Sequence, residues 1–193
     1  MRIFKFGGAS VKDANGIKNV LTVMEKVGHE NVLVIISAMG KTTNAFEEVI
    51  KNYFDKSPAL QSSIQEVKKY HNQILLDLFE DEKHDAFYTI NSHFEDLEYF
   101  FRSNKSPNYN FVYDQVVSYG ELLSTTIVSA YFNEKKLINN WIDVRTLIKT
   151  DNTYRDANVD WESTQKRISK NIKKNALNIT QGFLGADENN FTT

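Results

Sequence analysis

Ile3-Phe4-Lys5-Phe6-Gly7-Gly8-Ala9-Ser10-Val11 is a short apolar strand running into a glycine pair, and an amphipathic helix opens soon after it, near Asp13. Two glycines in a row let the backbone approach a ligand closely and take angles that a Cβ forbids. A helix start just beyond them offers unpaired N–H groups and a partial positive charge, which suits a phosphate. Lys5 adds a full cation and Ser10 a hydroxyl, so in physical terms the stretch is an anion cradle. The plainer reading is an ordinary strand-to-helix turn, and a bare Gly-Gly favours it.

Outward from that loop, Ile17, Val20, Leu21, Met24 and Val27 fall at helical spacing, and Gly28 closes the helix. Val32-Leu33-Val34-Ile35-Ile36 is a continuous β-branched run of the kind covered on both faces. Strand, helix and strand within 36 residues make a βαβ unit, which requires a parallel sheet and a right-handed crossover. Ser37-Ala38-Met39-Gly40-Lys41-Thr42-Thr43-Asn44 follows. Gly-Lys-Thr between a strand and a helix imitates the second half of a P-loop, but the first glycine of that motif would fall at Ile35, inside the strand. The stretch is thus a polar ligand loop or simply a loop with a helix cap at Thr42 or Thr43.

From Phe46 to about Phe101 three apolar stripes predict helices: Phe46 to Phe54, Leu60 to Leu78, and Phe87 to Phe101. His71, His84 and His93 lie among them without metal-ligand spacing. Val116 to Phe132 is a further helix whose one charged side chain is Glu121. That charge and the helix's hydroxyls rule out a membrane span. A buried carboxylate needs a partner or takes up a proton, so Glu121 is either one half of an internal ion pair or a receptor for a ligand's ammonium group. Beyond it come a strand through Leu137–Val144, with Asp143 and Arg145 fixing the following loop, and a polar stretch from Thr150 to Asp160. A helix through Trp161, Ile168 and Ile172 and a last strand, Ala176 to Phe183, complete the chain. The clustered Asp residues near 151–160 lack the calcium-loop pattern.

Composition bounds the function. The 193 residues suffice for a sizeable core, and 41% hydrophobic with 25% charged residues is ordinary for a soluble globular chain. A net charge of −2 argues against nucleic-acid or membrane-surface partners, and the absence of cysteine excludes disulfides and thiol chemistry. No signal-peptide core opens the sequence, so a cytoplasmic protein is expected.

Four motifs then resemble aspartate kinases, members of the amino-acid kinase superfamily. Lys5-Phe6-Gly7-Gly8-Ala9-Ser10-Val11 is similar to the family's Lys-Phe-Gly-Gly-Thr-Ser-Val, with Ala9 in place of threonine. Ser37 to Asn44 resembles its second ligand loop. Ser118-Tyr119-Gly120-Glu121-Leu122-Leu123-Ser124 resembles its Ser-x-Gly-Glu-x-x-Ser helix, and Gln181-Gly182-Phe183-Leu184-Gly185 its Gln-Gly-Phe-x-Gly strand end. The resemblance implies an α/β fold, a three-layer αβα sandwich with a mostly parallel sheet and a helical insertion at about residues 45–106. It implies ATP with Mg²⁺ as phosphoryl source and L-aspartate as acceptor. Lys5 is then the catalytic cation, and Gly7, Gly8 and Ser10 bind phosphate. Ser37, Thr43 and Glu121 bind substrate, with Glu121 on the ammonium; no metal ligand is assigned.

In the family, a glycine-rich Gly-Arg-Gly-Gly-Ser-Asp segment, a nucleotide lobe and regulatory ACT domains follow the point where Phe191-Thr192-Thr193 stands. The expectation is therefore the N-terminal part of a kinase domain, inactive alone, from an enzyme that is a homo-oligomer when complete. Two rivals stay open: a kinase of the same fold with another carboxylate or carbamate acceptor, and a non-catalytic ligand-binding or assembly fragment.

Overall fold

The computed structural model describes residues 1–193. Its frame is a four-stranded sheet of β1 (Arg2–Phe6), β2 (Val32–Ile36), β3 (Asn139–Ile142) and β4 (Leu177–Gln181), in the order β1-β2-β4-β3. Every pairing is parallel, from Arg2 opposite Val32 to Phe6 opposite Ile36, and from Val32 opposite Leu177 to Ile36 opposite Gln181. All strand C-termini therefore lie at one lip, where parallel α/β sheets place their ligands.

Six helices connect the strands: α1 (Ala14–Val27), α2 (Thr42–Phe54), α3 (Leu60–Leu78), α4 (Asp85–Ser103), α5 (Tyr109–Glu134) and α6 (Trp161–Asn171). The period-2 alternation of β2 sends Val32, Val34 and Ile36 into one core with Ile17, Val20 and Met24 of α1 and Val116, Ile127 and Phe132 of α5. Helices α2–α4 pack on the outer side of α5 and extend that core through Phe46, Ile74, Ile90 and Phe94. Truncating a fully buried phenylalanine such as Phe46 costs about 3–5 kcal/mol.

The opposite face of the sheet belongs to α6. Asn178 alternates away from the Leu177 and Ile179 core, and its side chain bonds Lys173 N and O just past the end of α6. The reversal follows from topology: the chain steps back from β3 to β4, so a right-handed crossover must use the other face. Cover there is thin, for Thr164 is the one buried residue of α6 and Ile3 of the edge strand β1 stays 64% exposed. No helix is long and apolar enough to cross a membrane.

Several boundaries differ from the sequence reading. Helix α4 ends at Ser103, and α5 begins at Tyr109, seven residues before Val116, because Asn108 caps it by accepting from Asn110 N and Phe111 N. The cap of α2 is Lys41, without a side-chain bond, rather than Thr42 or Thr43; the Thr42 hydroxyl instead donates back to Met39 O at 2.6 Å. His71 is buried and neutral. Desolvation drives its pKa down to about 4 while its Nδ1 donates to Val67 O.

Candidate functional site

The site is assembled from two loops and one helix at the C-terminal lip of the sheet. The first loop leaves β1 through Gly7 and Gly8 and closes as a single 3-10 turn, Gly8–Val11, with Ser10 N donating to Gly7 O. Neither glycine needs an unusual angle: Gly7 sits at φ −78°, and the positive values among glycines belong to Gly28 and Gly40. Gly8 is needed for space. A Cβ there would lie 2.5 Å from Ala38 O and 3.1 Å from Gly40 O, where the second loop crosses it and Gly40 N donates to Gly8 O at 3.0 Å.

The helix start near the glycines also differs from expectation. Asp13 caps α1 through Gly16 N at 2.8 Å, so its N-terminus already holds a carboxylate. The uncapped helix start at this lip is that of α2, one turn after β2. There the N–H groups of Lys41, Thr43 and Asn44 have no acceptor in the chain, nor does that of Gly7 across the crevice. An array of free N–H groups at a helix start attracts anionic oxygens.

Helix α5 forms the third wall. Of its 26 residues 16 are buried, and Gly120 lets it press on the second loop: a Cβ there would meet Ala38 Cβ at 2.9 Å and Thr42 Cγ2 at 3.4 Å. One residue on, Glu121 is 6% exposed. Its Oε1 accepts from Ala38 N at 3.3 Å, and its Oε2 is buried with no partner. No Lys or Arg pairs with it, so the internal ion pair is excluded. Burial raises its pKa to about 7, against the pull of the Ala38 N–H. Three residues on, Ser124 ties α5 to the same loop by donating to Ser37 O at 2.8 Å.

The remaining predicted residues gather around this junction. Ser37 and Thr43 are half-buried and Ser10 exposed, and none of the three hydroxyls is held by a hydrogen bond within the chain. Lys5 is exposed and unpaired; it alternates with Phe4 and Phe6, which pack on the core, and so lies on the face away from α5. The lip thus offers a cation on one face, a half-satisfied carboxylate on the other, and free N–H groups between them.

Two residues of the lip were quoted in a motif but given no role by the sequence. Gln181 is buried at the end of β4, donating to Thr125 Oγ1 at 2.6 Å and accepting from Val144 N at 2.7 Å, which binds α5 to the exits of β3 and β4. Phe183 beside it holds a φ of 71° with 91% of its surface exposed. The signal for both was a polar and an aromatic residue flanking Gly182 at a strand end. The Asp143–Arg145 pair forms as expected, at 2.6 Å. Asp151 serves its own loop: hydrogen bonds from Asn158 and Thr153 hold its pKa down to about 2. No cluster of three or more His, Asp or Glu side chains is positioned to hold a metal ion.

Comparison with known proteins agrees across the whole length. The sequence model described as the amino acid kinase family matches residues 1–193. The aspartokinase of Chlamydia trachomatis is 28% identical over 192 residues, covering 99% of this chain and 42% of that protein. The chloroplastic bifunctional aspartokinase/homoserine dehydrogenase 1 of Arabidopsis thaliana is 26% identical over 200 residues, covering 99% of the chain and 22% of that protein. Among solved structures, E. coli aspartokinase III in complex with aspartate and ADP superposes with a TM-score of 0.85 at 23% identity, over all of this chain and 43% of that one. The chain thus spans less than half the length of these relatives.

Proposed function

The chain belongs to the amino acid kinase family, and from that premise we propose that it forms the aspartate-binding and phosphate-loop part of an aspartokinase, transferring the γ-phosphoryl group of ATP to the β-carboxylate of L-aspartate to give 4-phospho-L-aspartate. The observation that carries this reading is Glu121: a buried carboxylate with one unpartnered oxygen and no cation in reach, opening beside the uncapped start of α2. An α-amino acid completes both halves, its ammonium on Glu121 Oε2 and a carboxylate on the N–H and hydroxyl of Thr43, with Ser37 alongside. That E. coli aspartokinase III holds aspartate and ADP on the same fold supports the assignment.

The acceptor carboxylate is a nucleophile at neutral pH without a general base, so the work left is positioning and charge neutralisation. Lys5 bears on the oxygens of the transferring group, while Gly7 and Gly8 bring the backbone beneath them and Ser10 adds its hydroxyl. Mg²⁺ arrives with ATP and neutralises phosphate charge; no residue here is assigned to it. A cytoplasmic location and a homo-oligomeric complete enzyme belong to the same proposal.

The test uses the complete enzyme. Lys5→Ala should lower kcat far more than it raises KM for aspartate, since its charge matters most in the transition state. Glu121→Ala should weaken aspartate binding and leave ATP binding nearly intact. An unchanged kcat in the first variant, or preference for glutamate over aspartate in the parent, defeats the assignment. Residues 1–193 alone are expected to turn over nothing and to bind ATP weakly at most.

A further inference from the structure

Leading away from the lip at the start of α2, a cleft of about 440 Å³ lies between the antiparallel helices α2 and α3, within the range of small-molecule sites. Lys12 and Lys41 line it at one end, Glu48 and Glu66 further along, and Ala45, Val67 and the Tyr70 ring form its apolar wall. None of the four charged side chains makes an ion pair.

The cleft is polar in a directional sense. Lys41 and Glu48 are two turns apart on α2, about 10 Å along the axis. On α3, Tyr70 marks the lysine end: its hydroxyl donates to Lys12 O and abuts Gly40. Glu66 lies one turn back toward the end where Phe54 and Leu60 are joined, on the side of Glu48. A cationic end, an apolar floor and an anionic end follow one another along the groove.

We propose that this cleft is a binding site for a small zwitterion whose carboxylate and ammonium are separated by an apolar spacer, the carboxylate on Lys12 and Lys41 and the ammonium on Glu48 and Glu66. The site adjoins the one assigned to aspartate at the start of α2 but differs in its ammonium receptor, which is Glu121 there, and in its spacing, which there is that of an α-amino acid. A ligand seated on Tyr70 bears on Gly40, whose N–H holds Gly8 O, so occupancy is mechanically linked to the crossing of the two loops.

The probe is 6-aminohexanoate, titrated into the isotope-labelled chain while the amide resonances of Ala45, Glu48, Ser63 and Val67 are followed. Hexanoate and hexylammonium, each carrying half of its charge pattern, are the controls. Saturable shifts are expected with the zwitterion and at least tenfold weaker binding for either control. Glu48→Gln combined with Glu66→Gln, and separately Lys12→Ala, should each weaken the zwitterion tenfold or more. All three side chains are exposed, so these changes leave the packed core of the chain untouched. Absence of saturable shifts, controls binding as tightly as the zwitterion, or charge variants binding like the parent would each overturn the proposal.

Discussion

Two buried carboxylates stand two turns apart on α5, and the chain treats them differently. Asp114 is 9% exposed, accepts Arg155 N at 2.7 Å, and has that residue's guanidinium stacked 4.1 Å from the Tyr113 ring. Glu121 is as deeply buried but has only the long bond from Ala38 N and an oxygen with no partner. Burial raises both, Asp114 to about 6 and Glu121 to about 7, but the Arg155 backbone bond and charge pull against it at Asp114, whereas no cation does so at Glu121. The first carboxylate holds a loop to a helix. The second is unfinished as structure, and that incompleteness suits a ligand.

The largest expected effect tests the second half of this contrast. In the complete enzyme Glu121→Ala should weaken aspartate binding by on the order of a thousandfold, as loss of one member of a buried charge pair does, whereas Asp114→Asn should change it less than about threefold. Calorimetry with aspartate checks both, and equal losses would erase the distinction. In the parent, aspartate affinity should fall about tenfold per pH unit below about 7, because the carboxylate must be ionised to receive an ammonium.

Next in size is the cost of that carboxylate to the fold. Its folded pKa is raised, so the folded chain holds the proton more tightly than the unfolded one. Stability from this group is complete below about pH 4.5 and is lost as pH rises through about 7. Glu121→Gln should therefore gain on the parent by about 3 kcal/mol between pH 4.5 and 8 in denaturant titrations. A constant difference across that range would mean that Glu121 is not desolvated. Asp114→Asn should gain with rising pH in the same sense but by less, because its folded pKa is raised only to about 6 and the exchange weakens the bond to Arg155 N, which costs about 1–2 kcal/mol. The smallest effect belongs to Tyr113→Leu, about 0.5–1 kcal/mol from the lost cation–π contact, measured by the same titrations.

The contrast between the carboxylates was half legible in the sequence. A lone charge in an apolar helix marked Glu121, whereas Asp114 was invisible because it lies before Val116, in a stretch whose polar residues hid the first two turns of α5. The βαβ unit, the glycine loop and the strand ends were readable because apolar periodicity and glycine carry local physics. The crossing of Gly8 beneath Ala38 and Gly40, the Asp13 cap that closes α1 to ligands and the bare start of α2 were not. Each depends on which segments meet in space, and Thr42-Thr43 looked the better cap until the Thr42 hydroxyl turned back to Met39. Gln181 was quoted as part of a motif, but its bonds to Thr125 and Val144 join segments far apart in the chain.

The strand order has a consequence in time. β4 is made after β2 and β3, yet it sits between them, so these strands cannot pair in the order in which they are synthesised. With the ribosome adding about 5–20 residues per second, β2 and β3 wait for seconds with their inner edges unpaired before Leu177–Gln181 can slot between them. Such non-local, all-parallel pairing is slow to form. During that wait the newborn chain offers two open edges to its neighbours, and a cell making it quickly should depend on chaperones to keep those edges apart.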